Sequence, residues 1–440
     1  MPENRGNLMQ AQEIRVSISR YAALELFTSI VVRKQTLEKA IGTFLGFDQL
    51  SERDKGFSRL IVVTTLRRLG QIDAIVNYCL IKELPKGAET VTNVIRLAAA
   101  EILFLGVDVY ASVDSAVTIV KARRFYKFQG LTNAVLRRLA REGEKLVGEF
   151  PEELNFPEWI VKAWIREYGK SEARRLVLSS LEEPALDISV KNNANVWAEK
   201  LDAKILVTGS LRRGFGGRIE DMPGYKEGAW WVQDAGAAIP VLLFGNVKGL
   251  RVLDACAAPG GKTAQLAAAG ADVTAVDRSP KRLKRLESNM IRLRLPVTCI
   301  QADLIDWEPE ESFDAVLLDP PCTATGTIRR NPDLLIRKAI NDTKKLVKLQ
   351  DKLLSKVSRL VKPHGQLIFC TCSLQPEEGE QRISKFLAKN MKFKRNPVRP
   401  NEIGGMTELI NKSGDLRTLP SQFSEVGGID GFFVARLSRG

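Results

Sequence analysis

The chain has 440 residues, 44% hydrophobic and 27% charged, a composition that can bury a core and excludes a disordered protein. Lys and Arg number 66 against 52 Asp and Glu, a net charge of +14, which points to a polyanionic partner such as nucleic acid. Six cysteines with no C-x-x-C pair give neither a disulfide framework nor a zinc site, and a single histidine leaves Ser-His-Asp catalysis, Cys-His catalysis and histidine-rich metal sites without support.

The first twenty residues, MPENRGNLMQAQEIRVSISR, contain no apolar core of the kind a signal peptide needs. No run approaches the ~20 apolar residues of a membrane span. A cytoplasmic protein with no membrane partner is therefore expected. From about Ser17 to Glu142 the chain reads as helix. Val94, Leu97, Ala98, Ile102 and Leu105 recur at helical spacing, and Ser51 is a plausible N-cap. Breaks are expected at Leu84-Pro85-Lys86-Gly87 and Gly106-Val107-Asp108. Four or five such helices would make a bundle over residues 1–142. The charged stretch REGEKLVGEFPEEL looks like a linker, and PEWIVKAWIREYG a short amphipathic helix. With the strand-like LDISV and AKILV and the Gly-rich GSLRRGFGGRIE, residues 143–228 form a linker helix and a small α/β lead-in domain.

From residue 229 to 440 strand, loop and helix alternate. RVLDAC, DVTAVD, PVTCI, FDAVLLD and GQLIFCT read as strands. KTAQLAAAG, SPKRLKRLESNMIRL and LLIRKAINDTKKLVKLQDKLLSKVSRL read as helices. The repetition implies a mostly parallel doubly wound sheet with its ligand beyond the carboxyl ends of the strands. The first strand opens into a glycine turn, Cys256-Ala257-Ala258-Pro259-Gly260-Gly261-Lys262. A dinucleotide fingerprint is absent, and the phosphate loop of an ATPase lacks its first glycine, because Cys256 stands there. S-adenosylmethionine has no phosphates to cradle and tolerates a looser turn. Asp277, ending the next strand, could accept ribose hydroxyls, and Asp303, ending the third, could meet an adenine amino group. No metal is expected.

Two more strands end in Asp319-Pro320-Pro321-Cys322 and Cys370-Thr371-Cys372. Thiols converging on a methyl-donor site have a chemical rationale. Carbon 5 of cytosine is a poor nucleophile, but a thiolate adding to carbon 6 makes an enamine that can take a methyl group. Asp319 could supply a proton to ring nitrogen 3. On the residues alone either Cys322 or Cys372 could attack, and Cys370 is a lesser candidate.

These motifs resemble those of the Fmu/Sun/RsmB family of bacterial cytosine-5 RNA methyltransferases. The resemblance rests on Gln233-Asp234-Ala235, LDACAAPGGKT, AVDRSPKRL, QADL, LLDPPCTATGTIRRNPD, CTCSLQPEEGE and DGFFVARL across the C-terminal half. In the N-terminal half RDKGFSRLIVVTTLRR, VIRLAAAEILFLG, SVDSAVTIVKAR and GLTNAVLRRL resemble a NusB-like domain. It implies an all-α NusB-like, RNA-binding bundle followed by a Rossmann-like methyltransferase domain with a mostly parallel seven-stranded sheet. It also implies that Cys256 to Lys262, Asp277, Asp303 and Asp319 line the cofactor and base pocket. Cys372 would be the nucleophile and Cys322 would help release the product. The implied substrate is 16S ribosomal RNA or an assembling small subunit, not DNA, and the enzyme is expected to be a monomer.

Two departures from the family pattern stand out. Asp319-Pro320-Pro321-Cys322 replaces the commoner Asp-Ala-Pro-Cys, and Asn331 stands where many relatives carry histidine. Asp-Pro-Pro is similar to the motif of amino-group methyltransferases, but those follow it with an aromatic residue. A DNA cytosine-5 enzyme would carry Pro-Cys-Gln and Glu-Asn-Val, and neither is present. A non-enzymatic RNA-binding factor would account for the helical half alone.

Overall fold

The computed structural model describes residues 17–214 and 216–440. Most of the N-terminal stretch read for a signal peptide, and the first part of the expected helical domain, lie outside the described residues. The chain forms two compact units. One runs to Leu181 and includes Asn331–Lys338; the other comprises Glu182–Arg330 and Ala339–Gly440.

The first unit is all helix: α1 (Ile18–Arg33), α2 (Leu37–Thr43), α3 (Glu52–Arg67), α4 (Leu69–Cys79), α5 (Glu89–Phe104), α6 (Val109–Ala122), α7 (Gln129–Glu149) and α8 (Glu158–Leu181). The caps follow the expected chemistry. Ser51 accepts from Asp54 N at 3.1 Å and Asp108 from Ala111 N at 2.8 Å, each satisfying an amide that the first helical turn leaves unpaired. Val94, Leu97 and Ala98 are buried as their spacing predicts. There are more helices than the four or five expected, because the junctions at Thr36 and Arg68 carry no glycine or proline to announce them.

The expected domain boundary at 142 falls inside α7. Its charged residues occupy the solvated face of a continuing helix, while Gly143 and Leu146 stay buried. The predicted helix PEWIVKAWIREYG is the first half of α8, which changes direction at Gly169 (φ 81°). Residues 143–181 therefore belong with the helical unit. The long helix read over 334–360 is also broken, because Ala339 is extended (φ −127°, ψ 157°) and its amide is held by Asp342 at 2.9 Å. The one-turn helix Leu334–Arg337 joins the helical unit, where Ile336 packs on the core.

The second unit holds two sheets. A small one, in the order β2-β3-β1-β4, consists of β1 (Leu186–Val190), β2 (Lys204–Ile205), β3 (Leu211–Arg213) and β4 (Trp230–Val232); it carries α9 (Ala194–Lys200) between β1 and β2. Then come α10 (Ala235–Leu242), β5 (Arg251–Ala255), α11 (Gly261–Ala268), β6 (Asp272–Asp277), α12 (Pro280–Leu293), β7 (Thr298–Gln301), β8 (Phe313–Leu318), α13 (Ile340–Leu360), β9 (Val361–Thr371), α14 (Glu380–Lys389), β10 (Phe393–Arg395), β11 (Leu416–Arg417) and β12 (Phe433–Arg439). The main sheet runs β10-β12-β9-β8-β5-β6-β7, with β11 added beside β12. Strands β9, β8, β5, β6 and β7 are parallel, and β12 is antiparallel to its neighbours. The sheet thus has the expected mostly parallel centre and one strand more than expected, the two-residue β11.

Both faces are covered. Val252, Leu317 and Ile368 pack with α10 and α11, while their chain neighbours Leu253, Val316 and Leu367 pack with α13 and α14. That period of two explains why these strands read as unbroken apolar runs. Strand order reverses between β5 and β8, the switch point at which open α/β sheets bind ligands.

Buried ion pairs tie the small sheet and the C-terminal strands to this centre. Asp187 receives both Nε and Nη2 of Arg212, at 2.6 and 2.7 Å. Asp234 accepts from Gly236 N, Arg329 and Arg330, and Asp430 from Arg329 Nε at 2.6 Å. Burial alone would raise the Asp234 carboxyl, but Arg330 and Arg329 outweigh it and hold the group well below the usual carboxylate range. Among the described residues no helix is long and apolar enough to cross a membrane.

Candidate active site

The carboxyl end of β5 forms the floor of the site. Cys256 takes φ 65° and Gly260 φ 101°. At Gly260 a Cβ would sit 2.7 Å from the Leu286 side chain, so this glycine is needed both for its left-handed backbone and for its close approach to α12. Thr263 Oγ1 bonds Asp254 Oδ2 at 2.6 Å beneath the loop, and burial pushes the Asp254 carboxyl up to about 7. The loop has a hollow on each side.

The first hollow is lined by Cys256, Asp277, Asp303, Leu304, Pro321 and Leu353. Asp277 is buried, and its carboxylate accepts from Ala258 N at 3.1 Å and Ser279 N at 2.9 Å. A carboxylate has roughly four lone-pair directions, so it retains capacity for ribose hydroxyls. The apolar walls at Leu304, Pro321 and Leu353 suit a flat base, and Asp303 stands at the rim. The residues present fit the nucleoside part of S-adenosylmethionine. Burial pushes the Cys256 thiol up to about 12, with Asp277 adding to the shift, so Cys256 lines the loop as a neutral group.

The second hollow is a cavity of about 640 Å³ lined by the loop from Cys256 to Lys262, by Asp319, and by Trp231, Asn289 and Arg292 opposite. Lys262 Nζ contacts Asp319 Oδ2 at 2.6 Å and lies 5.1 Å from the Phe432 ring centroid. Burial pulls the ammonium down, but Asp319, with Cys370 and Cys372 also facing it, holds it above the ordinary lysine value.

The two loops that follow β8 and β9 meet beside this pair. Cys322 Sγ and Cys372 Sγ are 3.4 Å apart. Gly326 N donates to Cys372 O at 2.9 Å, and a Cβ on Gly326 would fall 2.0 Å from Gly431 O, so only glycine permits that approach. The Cys322 thiol is pushed well above its ordinary value, first by its hydrogen bond with Cys372, then by burial and by the charges of Cys372, Glu378 and Asp319. Cys370 is fully buried within β9, opposite Val434, and points into the core. Cys372 lies one residue beyond the strand, free of its alternation.

Of the candidate site residues singled out from the sequence, all but Cys370 therefore gather at the carboxyl edge of the sheet. Lys262, Asp319, Cys322 and Cys372 form one group, and Asp277 and Asp303 line a separate hollow that shares Cys256 with it. Sequence reasoning missed Glu378 and Gln350, which bind the two cysteine loops together. Phe432, Asp234 and Asp430 lie within the family motifs, but nothing in the sequence assigned them a role. Among the described residues no cluster of His, Cys, Asp or Glu is placed to hold a metal ion.

The profile of the family described as 16S rRNA methyltransferase RsmB/F matches residues 242–438, and that of the NusB family matches residues 17–141. The ribosomal RNA small subunit methyltransferase B of Pasteurella multocida is 30% identical over 416 residues, covering 89% of this chain and 90% of that protein. Among solved structures, that of PH0851 superposes with TM-score 0.74 at 23% identity, covering 96% of this chain and 100% of the other. A methyltransferase homolog from Pyrococcus horikoshii gives TM-score 0.55 at 24% identity, covering 66% of this chain and 98% of the other.

Proposed function

The chain belongs to the 16S rRNA methyltransferase RsmB/F family, S-adenosylmethionine-dependent enzymes acting on ribosomal RNA, and from that premise we propose that it methylates carbon 5 of a cytosine in 16S rRNA through a covalent cysteine adduct. The observation that carries this reading is the pair of thiols 3.4 Å apart beside Lys262 and Asp319. Amino-group or hydroxyl methylation has no use for two converging thiols. A carbon nucleophile made by adding sulfur to the ring does.

S-adenosylmethionine supplies the methyl group, held by the loop Cys256–Lys262, Asp277 and Asp303. The chain's own residues do the rest. Cys372 adds to carbon 6 of the base. Asp319 faces ring nitrogen 3 and relays to it the proton held by Lys262, which draws electrons from the ring as sulfur adds. Carbon 5 then takes the methyl group. Cys322 gives up its own proton to solvent once Cys372 is bound to the base and accepts the proton from carbon 5, and elimination of Cys372 returns the proton of ring nitrogen 3 to Asp319 and Lys262 and frees the product. The test is tritiated methyl transfer to 16S rRNA followed by nucleoside analysis. The label should appear in 5-methylcytidine; label confined to an exocyclic amine or a ribose would overturn the reading.

Cofactor binding gives a second expectation. Asp277→Ala should weaken S-adenosylmethionine binding by roughly 1–3 kcal/mol, the scale of a lost hydrogen bond to a charged group. Calorimetry measures it directly, and unchanged affinity would remove Asp277 from the ribose contact.

The helical unit is assigned to RNA selection. Of its basic residues, Arg123 pairs with Glu25 and Arg138 with Glu142, so these serve the unit's own structure. Lys121, Arg124 and Lys127 are exposed at the end of α6, beside the exposed Tyr126. Replacing these three by alanine should weaken RNA binding and flatten its dependence on log salt by roughly 0.9 for each phosphate that is no longer neutralised. An unchanged slope in a filter-binding titration would assign the RNA-binding surface elsewhere. The same reading puts the enzyme in the cytoplasm, as a monomer acting on RNA and not on DNA.

A further inference from the structure

Glu378 is a fully buried acid that the chemistry above does not use. It closes the short turn Pro376–Glu378, after the Cys372 loop. Its carboxylate accepts from Thr323 N at 3.0 Å, from Ser373 Oγ at 2.6 Å, from Gln350 Nε2 at 3.0 Å, and from Thr323 Oγ1. Thr323 directly follows Cys322, and Ser373 directly follows Cys372. Gln350, on α13, also donates to Pro321 O at 2.9 Å. One carboxylate thus grips both cysteine loops, through donors that are all neutral.

A purely structural clamp would not need a charge. An amide or a hydroxyl could join the same loops, and a buried charge balanced only by neutral donors is costly. The charge gains a purpose from its position. Two thiols in contact share protons, and the one nearer a fixed negative charge keeps its proton longer. The Glu378 carboxylate grips Thr323 through both backbone and side chain and meets the Cys372 loop through the Ser373 hydroxyl, while Thr371 Oγ1 donates to the Glu378 backbone carbonyl at 3.1 Å. We propose that Glu378 is a positioning residue for the thiol pair: it holds the two loops in register and sets its charge on the Cys322 side of the pair, so that Cys372 is the thiol that reacts. This rests on the reading of Cys372 as nucleophile.

The other charged and titratable groups facing the pair are consistent with this division. Asp319 and Glu378 both disfavour a charged Cys322. Lys262, the cation that pairs with Asp319, also faces Cys372. Cys370, buried in β9, is pushed well above its ordinary value by burial and then by Asp319, so it remains a neutral thiol.

The test is competitive alkylation of the free full-length enzyme with iodoacetamide across a pH series, with Cys322 and Cys372 quantified separately by mass spectrometry. Wild type should be alkylated first at Cys372. Glu378→Gln should shift the Cys372:Cys322 ratio toward Cys322 by about tenfold, one pKa unit. Gln350→Met, which loosens the clamp and keeps the charge, should retain the Cys372 preference. An unchanged ratio in a Glu378→Gln enzyme that still binds S-adenosylmethionine would overturn the proposal, as would an equal shift in Gln350→Met. If Glu378→Gln does not fold, Glu378→Asp restores the charge and must keep the Cys372 preference; first labelling at Cys322 there is equally contrary. The readout needs neither RNA nor methyl transfer, so it can fail or succeed separately from the assignment of the attacking thiol.

Discussion

Lys262→Met should slow methyl transfer by about 10²–10⁴-fold, the range for losing a positioned proton-transfer group. Lys262 is the cation that touches Asp319, at 2.6 Å, and it also faces the thiols of Cys370 and Cys372. Removing it takes away the proton that Asp319 relays to ring nitrogen 3, and with it the positive charge that faces Cys372. The fold should survive, because the Asp319 side chain is 28% exposed and its orphaned carboxylate can regain water. A single-turnover rate at saturating S-adenosylmethionine and RNA isolates the effect from cofactor affinity. A loss below about tenfold would take Lys262 out of the chemistry and leave it a loop residue only.

Cys372→Ser should reduce turnover to background, a loss on the order of 10⁴-fold or more, as when a covalent nucleophile is removed. A serine hydroxyl ionises far less readily than a thiol and gains little from the same surroundings. Cys370→Ala is the informative companion. Cys370 is fully buried against the core of the sheet, so the variant should lose stability and keep the chemistry. The reverse pattern, with Cys370→Ala dead and Cys372→Ser active, would move the nucleophile into the strand.

The site residues were legible in the sequence because most of them stand at or just after the end of a strand, in a motif whose composition has a chemical reason. Asp277, Asp319 and the turn from Cys256 to Lys262 stand where alternating strands and helices put them. The unbroken apolar runs of β5, β8 and β9 reflect a sheet buried on both faces. What was not legible depends on contacts distant in sequence. Glu378 meets Thr323 from 55 positions further along the chain, and no local pattern announces such a bond. The charged end of α7 resembled a linker because solvated helix faces and linkers share a composition. The break at Ala339 leaves no proline or glycine in the sequence. It takes its form from the extended backbone there and from the packing of Ile336 in the helical unit.

The mechanism stands on a covalent bond between one cysteine and the base, with the other cysteine needed for release. Incubating Cys322→Ser with 16S rRNA and S-adenosylmethionine, then separating the mixture by denaturing electrophoresis, tests it most directly. The expected result is a protein–RNA band that survives denaturation and carries the transferred methyl group, and no such band with Cys372→Ser. A band with Cys372→Ser and not with Cys322→Ser would reverse the two roles, and no band with either variant would contradict the covalent mechanism.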